Sequence, residues 1–113
     1  MGSFNIDLDK TNKIFNAQVE GTFSPEDGMK SVEAYKATIA TIDTSEYEIR
    51  IDCTLLNVSA PSSLPILEGC FALYKEDGFK KVSLLLAKNP VLKMQLGRVA
   101  RGVGLENCEI TEV

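Results

Sequence analysis

The sequence predicts an α/β domain with a single mixed sheet of about five strands, in which an N-terminal hairpin is followed by alternating strands and three main helices. Two helix starts of the same kind support this prediction, because a capping residue directly precedes proline at Ser24-Pro25 and at Asn89-Pro90. The apolar run at residues 82–86 is typical of a strand covered on both faces. Strands and helices that alternate in this way form layered α/β sheets.

The first half of the chain gives a hairpin, a helix and a strand in order. Residues 4–8 and, more loosely, 14–19 alternate apolar and polar side chains around a turn-like stretch at 9–12. The helix that begins at Ser24 has an apolar stripe as far as about residue 43. Residues 47–52 alternate again and predict a strand that ends at Asp52.

The second half repeats the strand and helix alternation. A loop at residues 57–63 leads into a second helix, whose start the prolines Pro61 and Pro65 confine and whose end Gly78 marks. A strand at 79–87, a third helix from Asn89 to Gly104 and a last strand at 108–113 follow. With no linker or repeat, residues 1–113 are interpreted as one domain.

Composition and charge exclude several classes of function. The formal net charge is −4, and such an acidic chain is a poor partner for nucleic acid. No apolar stretch approaches the ~20 residues needed to span a bilayer, so a cytoplasmic location is expected. The chain has three scattered cysteines and no histidine, so neither a metal site nor a cofactor is expected. Without histidine there is no Ser-His or Cys-His pair, and the protein is predicted not to be an enzyme.

The loop that contains Ser59, Ser62 and Ser63 is the sequence's most distinctive candidate site. It follows a strand and opens a helix, where ligands bind in open α/β sheets and where a phosphate would be stabilised by backbone N–H groups. Asp52 lies just before it in sequence. The simpler interpretation is that one serine only caps the helix.

The order of elements and several short motifs resemble one family. The strand that ends in Asp52, followed by Ala60-Pro61-Ser62-Ser63-Leu64, is similar to the strand and the Asp-Ser-Ser-Gly-Leu helix entry of the STAS domain of anti-sigma-factor antagonists, the SpoIIAA-like proteins. Gly78 with the strand after it, the Asn89-Pro90 helix start and Val103-Gly104-Leu105 also match, so the resemblance spans nearly the whole chain.

This resemblance implies a non-catalytic regulatory module whose phosphorylatable serine is Ser62, with Ser63 after it. Its partner would be another protein, such as a kinase or an anti-sigma-type regulator, and a homodimer is also open. The sequence departs from the family pattern at Pro61, in place of aspartate, and at Leu64, in place of glycine. The resemblance therefore supports the fold more strongly than the phosphorylation.

Two helix surfaces leave alternatives open. In the second helix Ile66 and Leu73 lie about 100° around from the main apolar stripe, so they are either buried or presented to a partner. In the third helix Lys93, Arg98 and Arg101 surround Met94 on the outer side. That side is either a solvated face or a docking site for an acidic surface.

The leading hypothesis is a protein-interaction module that uses residues 59–67 and the adjoining part of the second helix. The alternative is a small-molecule or lipid-binding domain with a pocket near residues 59–63, which requires a concave apolar cavity there. A third and weaker hypothesis is a very small enzyme that uses Asp52 and Ser62.

Overall fold

Alternating residues at the start of the chain form a β-hairpin. The computed structural model describes residues 2–57 and 64–113, and its first two strands, β1 (Ser3–Asp9) and β2 (Ile14–Gly21), pair antiparallel. The Asp9 carboxylate accepts hydrogen bonds from the backbone N–H groups of Thr11 and Asn12 and so stabilises the turn. The predicted hairpin is confirmed.

Capping residues fix the starts of the first and third helices. Helix α1 (Pro25–Ile39) begins with a reciprocal box, in which Ser24 Oγ accepts from the Asp27 N–H and the Asp27 carboxylate accepts from the Ser24 N–H. Helix α3 (Pro90–Gly102) begins where the Asn89 side chain accepts from the Leu92 N–H. Both predicted starts are confirmed, although α1 ends earlier than predicted.

The remaining strands run parallel to β2, in the order of the chain. Strands β3 (Glu48–Leu56), β4 (Lys81–Leu86) and β5 (Cys108–Glu112) complete one sheet of order β1-β2-β3-β4-β5, and helix α2 (Leu64–Glu76) connects β3 to β4. Right-handed crossovers that all step the same way place their helices on one face of the sheet. Helix α2 accordingly contacts both α1 and α3. The predicted fold class is confirmed.

The hydrophobic core lies between this row of helices and the sheet. Its largest fully buried side chains are Phe15, Ile49, Val82, Leu84, Leu86, Leu92 and Leu96. The opposite face of the sheet is mostly polar, with Asn5, Gln18 and Asp52 in one register row. The prediction that residues 82–86 are covered on both faces is therefore wrong, because Leu85 lies in that row beside Asp52 and is partly exposed.

Charged residues occupy the β5 edge of the sheet. Glu109 pairs with Lys81 of β4 at 2.8 Å, and Glu112 pairs with Lys93 of α3 at 3.1 Å. Both pairs are largely solvent-exposed, so each contributes little to the free energy of unfolding.

A β-bulge makes β3 longer than the alternation pattern indicates. Gln18 pairs with Asp52, but two residues later Glu20 pairs with Leu55, so β3 contains one extra residue between these pairs. The extra residue interrupts the alternation on which the prediction rested. The prediction that this strand ends at Asp52 is therefore wrong, because it continues to Leu56.

Candidate functional site

The serine segment meets the described structure at the carboxyl ends of β2 and β3. Ser59, Ser62 and Ser63 lie outside the described residues, and the chain borders their segment at Asn57 and Leu64. The Asn57 N–H donates to the Gly21 carbonyl oxygen at 2.9 Å, which holds this border beside the end of β2. A strand end therefore precedes the serine segment as predicted, but it is Leu56 of β3, four residues after Asp52.

Asp52 lies on the polar face of the sheet. Its carboxylate accepts hydrogen bonds from the Thr54 N–H at 2.9 Å and from Thr54 Oγ1 at 2.7 Å. These bonds stabilise the bulge, where the regular pairing with β2 is interrupted. The helices cover the other face, so the structure separates Asp52 from the predicted contact residues of α2. A structural role accounts for this carboxylate.

Ile66 and Leu73 point from α2 toward the interior. A Cβ atom built on Gly28 of α1 would lie only 2.3 Å from Ile66 Cγ2, so the two helices meet very closely at this point. Leu73 lines a small cavity beneath α1 together with Phe4 and Tyr35. Both side chains are half-buried, so the structure favours burial over presentation to a partner. Their predicted contact with a partner stays a prediction.

An apolar cavity of about 90 Å³ lies between α1, α2 and the carboxyl ends of β2 and β3. Its walls include Val19, Ile51 and Leu56 from the strands and Ile66, Leu67 and Phe71 from α2. It is partly open to solvent, and among the described residues no Asp, Glu, Lys or Arg lines it. The concave apolar cavity that a ligand-binding domain requires is therefore present next to the serine segment.

Two cysteine thiols line this cavity. Burial raises the pKa of Cys53 to about 12, with a smaller contribution from the Asp52 charge, and burial raises the pKa of Cys70 to about 11. Both thiols are therefore protonated at neutral pH and behave as small apolar groups. They are poor nucleophiles in this environment.

A larger groove of about 480 Å³ separates α2 from α3. Its lining includes Leu64, Val91, Met94, Val99 and Val103, and the side chains of Val91 and Met94 are 60% and 61% exposed. Leu64, the residue that directly follows Ser63 in the sequence, is part of this lining. Exposed apolar side chains gathered in a concave surface are typical of interaction sites.

One cationic side chain, that of Arg98, lines the same groove. Arg101 lies one turn further along α3, with its guanidinium beside Gly97, and is not part of the groove lining. Within residues 2–57 and 64–113 neither arginine forms a salt bridge, whereas the neighbouring Lys93 is paired with Glu112. One carboxylate, that of Glu68, also lines the groove. We name the surface formed by Leu64, Val91, Met94, Arg98 and Val103 the α2–α3 groove.

Other kinds of site find no support in the described part of the chain. No cluster of three His, Cys, Asp or Glu side chains there could hold a metal ion. None of the described helices is both long enough and apolar enough to cross a bilayer.

Fold comparison defines the class to which this architecture belongs. The chain has a SpoIIAA-like fold. It is similar to the crystal structure of an uncharacterised protein of the DUF3478 family from Shewanella loihica PV-4, described as having a SpoIIAA-like fold, with a TM-score of 0.69 and 18% sequence identity. The similarity covers 97% of this chain and 85% of that one. No protein-family model matches the sequence, and no curated protein matches it significantly.

The close approach of α1 and α2 gives a matched pair of glycine substitutions. We expect Gly28→Ala to lower the free energy of unfolding by about 1–3 kcal/mol, because the new methyl group overlaps Ile66 and overpacking carries costs of that size. Gly69→Ala on α2 meets no atom within 4 Å, so it is expected to raise that free energy by about 0.5–1 kcal/mol.

Urea unfolding of both variants measures this difference. The free energy of unfolding of the double variant Gly28→Ala/Ile66→Ala should fall by less than the sum of the two single-variant losses. Truncation of the Ile66 side chain relieves its overlap with the new methyl group. Strict additivity, or a stabilising Gly28→Ala change, would show that the helices are not in close contact at this point.

Proposed function

We propose that the protein is a non-catalytic, STAS-like regulatory module that binds another protein through the α2–α3 groove and the adjoining segment of residues 59–67. The observation that carries this proposal is the apolar groove floor with exposed Val91 and Met94, bordered by Arg98. The SpoIIAA-like fold supports a STAS-like module. The Asp52 carboxylate is hydrogen-bonded to Thr54, and this structural use supports a non-catalytic role.

The chemistry of the groove indicates the kind of partner. Apolar side chains at its centre favour a segment that contributes apolar anchors, and the Arg98 guanidinium favours a carboxylate beside those anchors. A kinase or anti-sigma-type regulator with an acidic amphipathic helix would satisfy both requirements. Phosphate on Ser62 would add negative charge beside the Leu64 end of the groove and would oppose an acidic partner.

The first test compares charge reversals of equal size. Wild-type protein, Arg98→Glu, and the control Lys36→Glu on the exposed surface of α1 are each crosslinked in extracts of the native source. The partner identified is then purified and titrated by calorimetry. We expect Arg98→Glu to weaken binding at least about tenfold, which corresponds to 1.4 kcal/mol, and Lys36→Glu to leave binding unchanged.

A second series tests the apolar floor and the serine. Met94→Glu should abolish binding, Ser62→Asp should weaken it, and Ser62→Ala should bind like the wild type. Binding that is insensitive to both Arg98→Glu and Met94→Glu, in variants with unaltered circular dichroism, would rule out this groove as the contact surface. Equal binding by Ser62→Asp and Ser62→Ala would remove the serine from the regulatory proposal while the groove itself stands.

A further inference from the structure

We infer that the cavity between α1 and α2 is a binding site for the end of an aliphatic chain, such as that of a medium-chain alcohol or fatty acid. This site is distinct from the α2–α3 groove, since different side chains of α2 line the two. Ile66 and Cys70 line the cavity, whereas Leu64 and Glu68 line the groove. The inference does not depend on a protein partner.

Position is the first support for a ligand site. In open α/β sheets, ligands bind outside the carboxyl ends of the strands, and the cavity lies where β2 and β3 end. Val19 of β2 and Leu56 of β3 contribute to its wall, and Phe23 and Ser24 of the loop before α1 lie at the same end.

The lining determines the chemical class. The hydroxyl groups of its two serines are engaged locally, since Ser31 Oγ donates to the Gly28 carbonyl oxygen at 2.7 Å and Ser24 Oγ accepts from the Asp27 N–H. The Cys53 and Cys70 thiols are neutral in this environment. Because no charged side chain among the described residues lines the cavity, it would exclude an ionised group and accept hydrocarbon.

Size and shape favour a chain over a ring. The cavity of about 90 Å³ is smaller than the roughly 150 Å³ apolar cavity known to hold benzene. A neighbouring cavity of about 50 Å³ lies beneath α1 and shares the wall residues Val19, Ser31, Ile51, Cys70 and Tyr74 with the first. Two small adjoining spaces suit a narrow, flexible chain, whose polar end would stay in water at the open side.

The test uses simple probes and the folded protein. Methyl NMR spectra are recorded with xenon, 1-hexanol and benzene, and the signals of Ile51 and Leu67 are followed. We expect saturable shifts of these signals with xenon and 1-hexanol, and at least about tenfold weaker binding of benzene. Octanoate and 1-octanol, compared at equal concentration, distinguish an acid from an alcohol head group.

Filling variants provide the control. Ser31→Leu places an apolar side chain in the shared wall of both cavities and should abolish the 1-hexanol shifts, whereas Ala37→Leu adds the same leucine on the exposed side of α1 and should leave them unchanged. Leu67→Phe serves as a second filling variant if Ser31→Leu does not fold. Absence of shifts in the wild type, shifts that persist in folded filling variants, or tighter binding of benzene than of 1-hexanol would each overturn the inference.

Discussion

Replacement of Phe15 by alanine is expected to lower the free energy of unfolding by about 3–5 kcal/mol. Phe15 of β2 is only 1% exposed, and its ring centroid lies 5.7 Å from that of Tyr35 and 6.0 Å from that of Phe79. Truncation removes these ring contacts and leaves a cavity where the sheet meets α1. Since domains of this size unfold with about 5–15 kcal/mol, the variant should be marginally folded at best.

A second phenylalanine provides the matched control. Phe4 of β1 is 36% exposed at the edge of the sheet, so Phe4→Ala removes the same atoms from a site that is already partly hydrated. We expect it to cost less than half as much as Phe15→Ala. Urea unfolding with a shared slope m measures both values. Equal costs would contradict the position of Phe15 at the centre of the core.

The protein is expected to lose stability steeply above pH 9, because the folded state opposes the ionisation of thiols and phenols that are buried or half-buried. Burial raises the pKa of Cys53 to about 12 and of Cys70 to about 11, from 9.0. Burial also raises the pKa of Tyr35, to which the hydrogen bond with Asp77 adds, and the pKa of Tyr74, both from 10.0. A raised folded-state pKa gives stability that is complete below the unfolded pKa and disappears as the pH rises.

Between pH 9 and 10 a thiol contributes more to this loss than a tyrosine, since unfolded thiols ionise near pH 9 and unfolded tyrosines near pH 10. Each thiol there contributes a slope of up to about 1.4 kcal/mol per pH unit to the free energy of unfolding. The double variant Cys53→Ala/Cys70→Ala should therefore show a shallower slope over this interval, whatever its stability at pH 7. An unchanged slope would mean that the thiols are accessible to water.

Local signals were sufficient to predict most of the fold. The cap-and-proline pairs at Ser24 and Asn89, and Gly78 after α2, depend only on adjacent backbone groups, so they can be read directly from the sequence. The extent of β3 could not be predicted in this way. Its bulge arises from the pairing with β2, and the sequence shows only an interrupted alternation after Asp52.

The candidate sites depend on packing that no local pattern specifies. The basic side of α3 around Met94 was visible in the sequence, but its combination with Leu64 into one groove requires the placement of α2 beside α3. The cavity likewise follows from the approach of Gly28 to Ile66, residues 38 positions apart in the sequence. The phosphorylation of Ser62 remains a prediction.

The charged β5 edge bears on how copies of this chain can associate in concentrated solution. An uncovered edge strand can template intermolecular pairing and aggregation, and natural proteins oppose this with short strands and charged side chains. Strand β5 has only five residues and carries Glu109 and Glu112. We therefore expect association of this protein not to extend the sheet at its β5 edge.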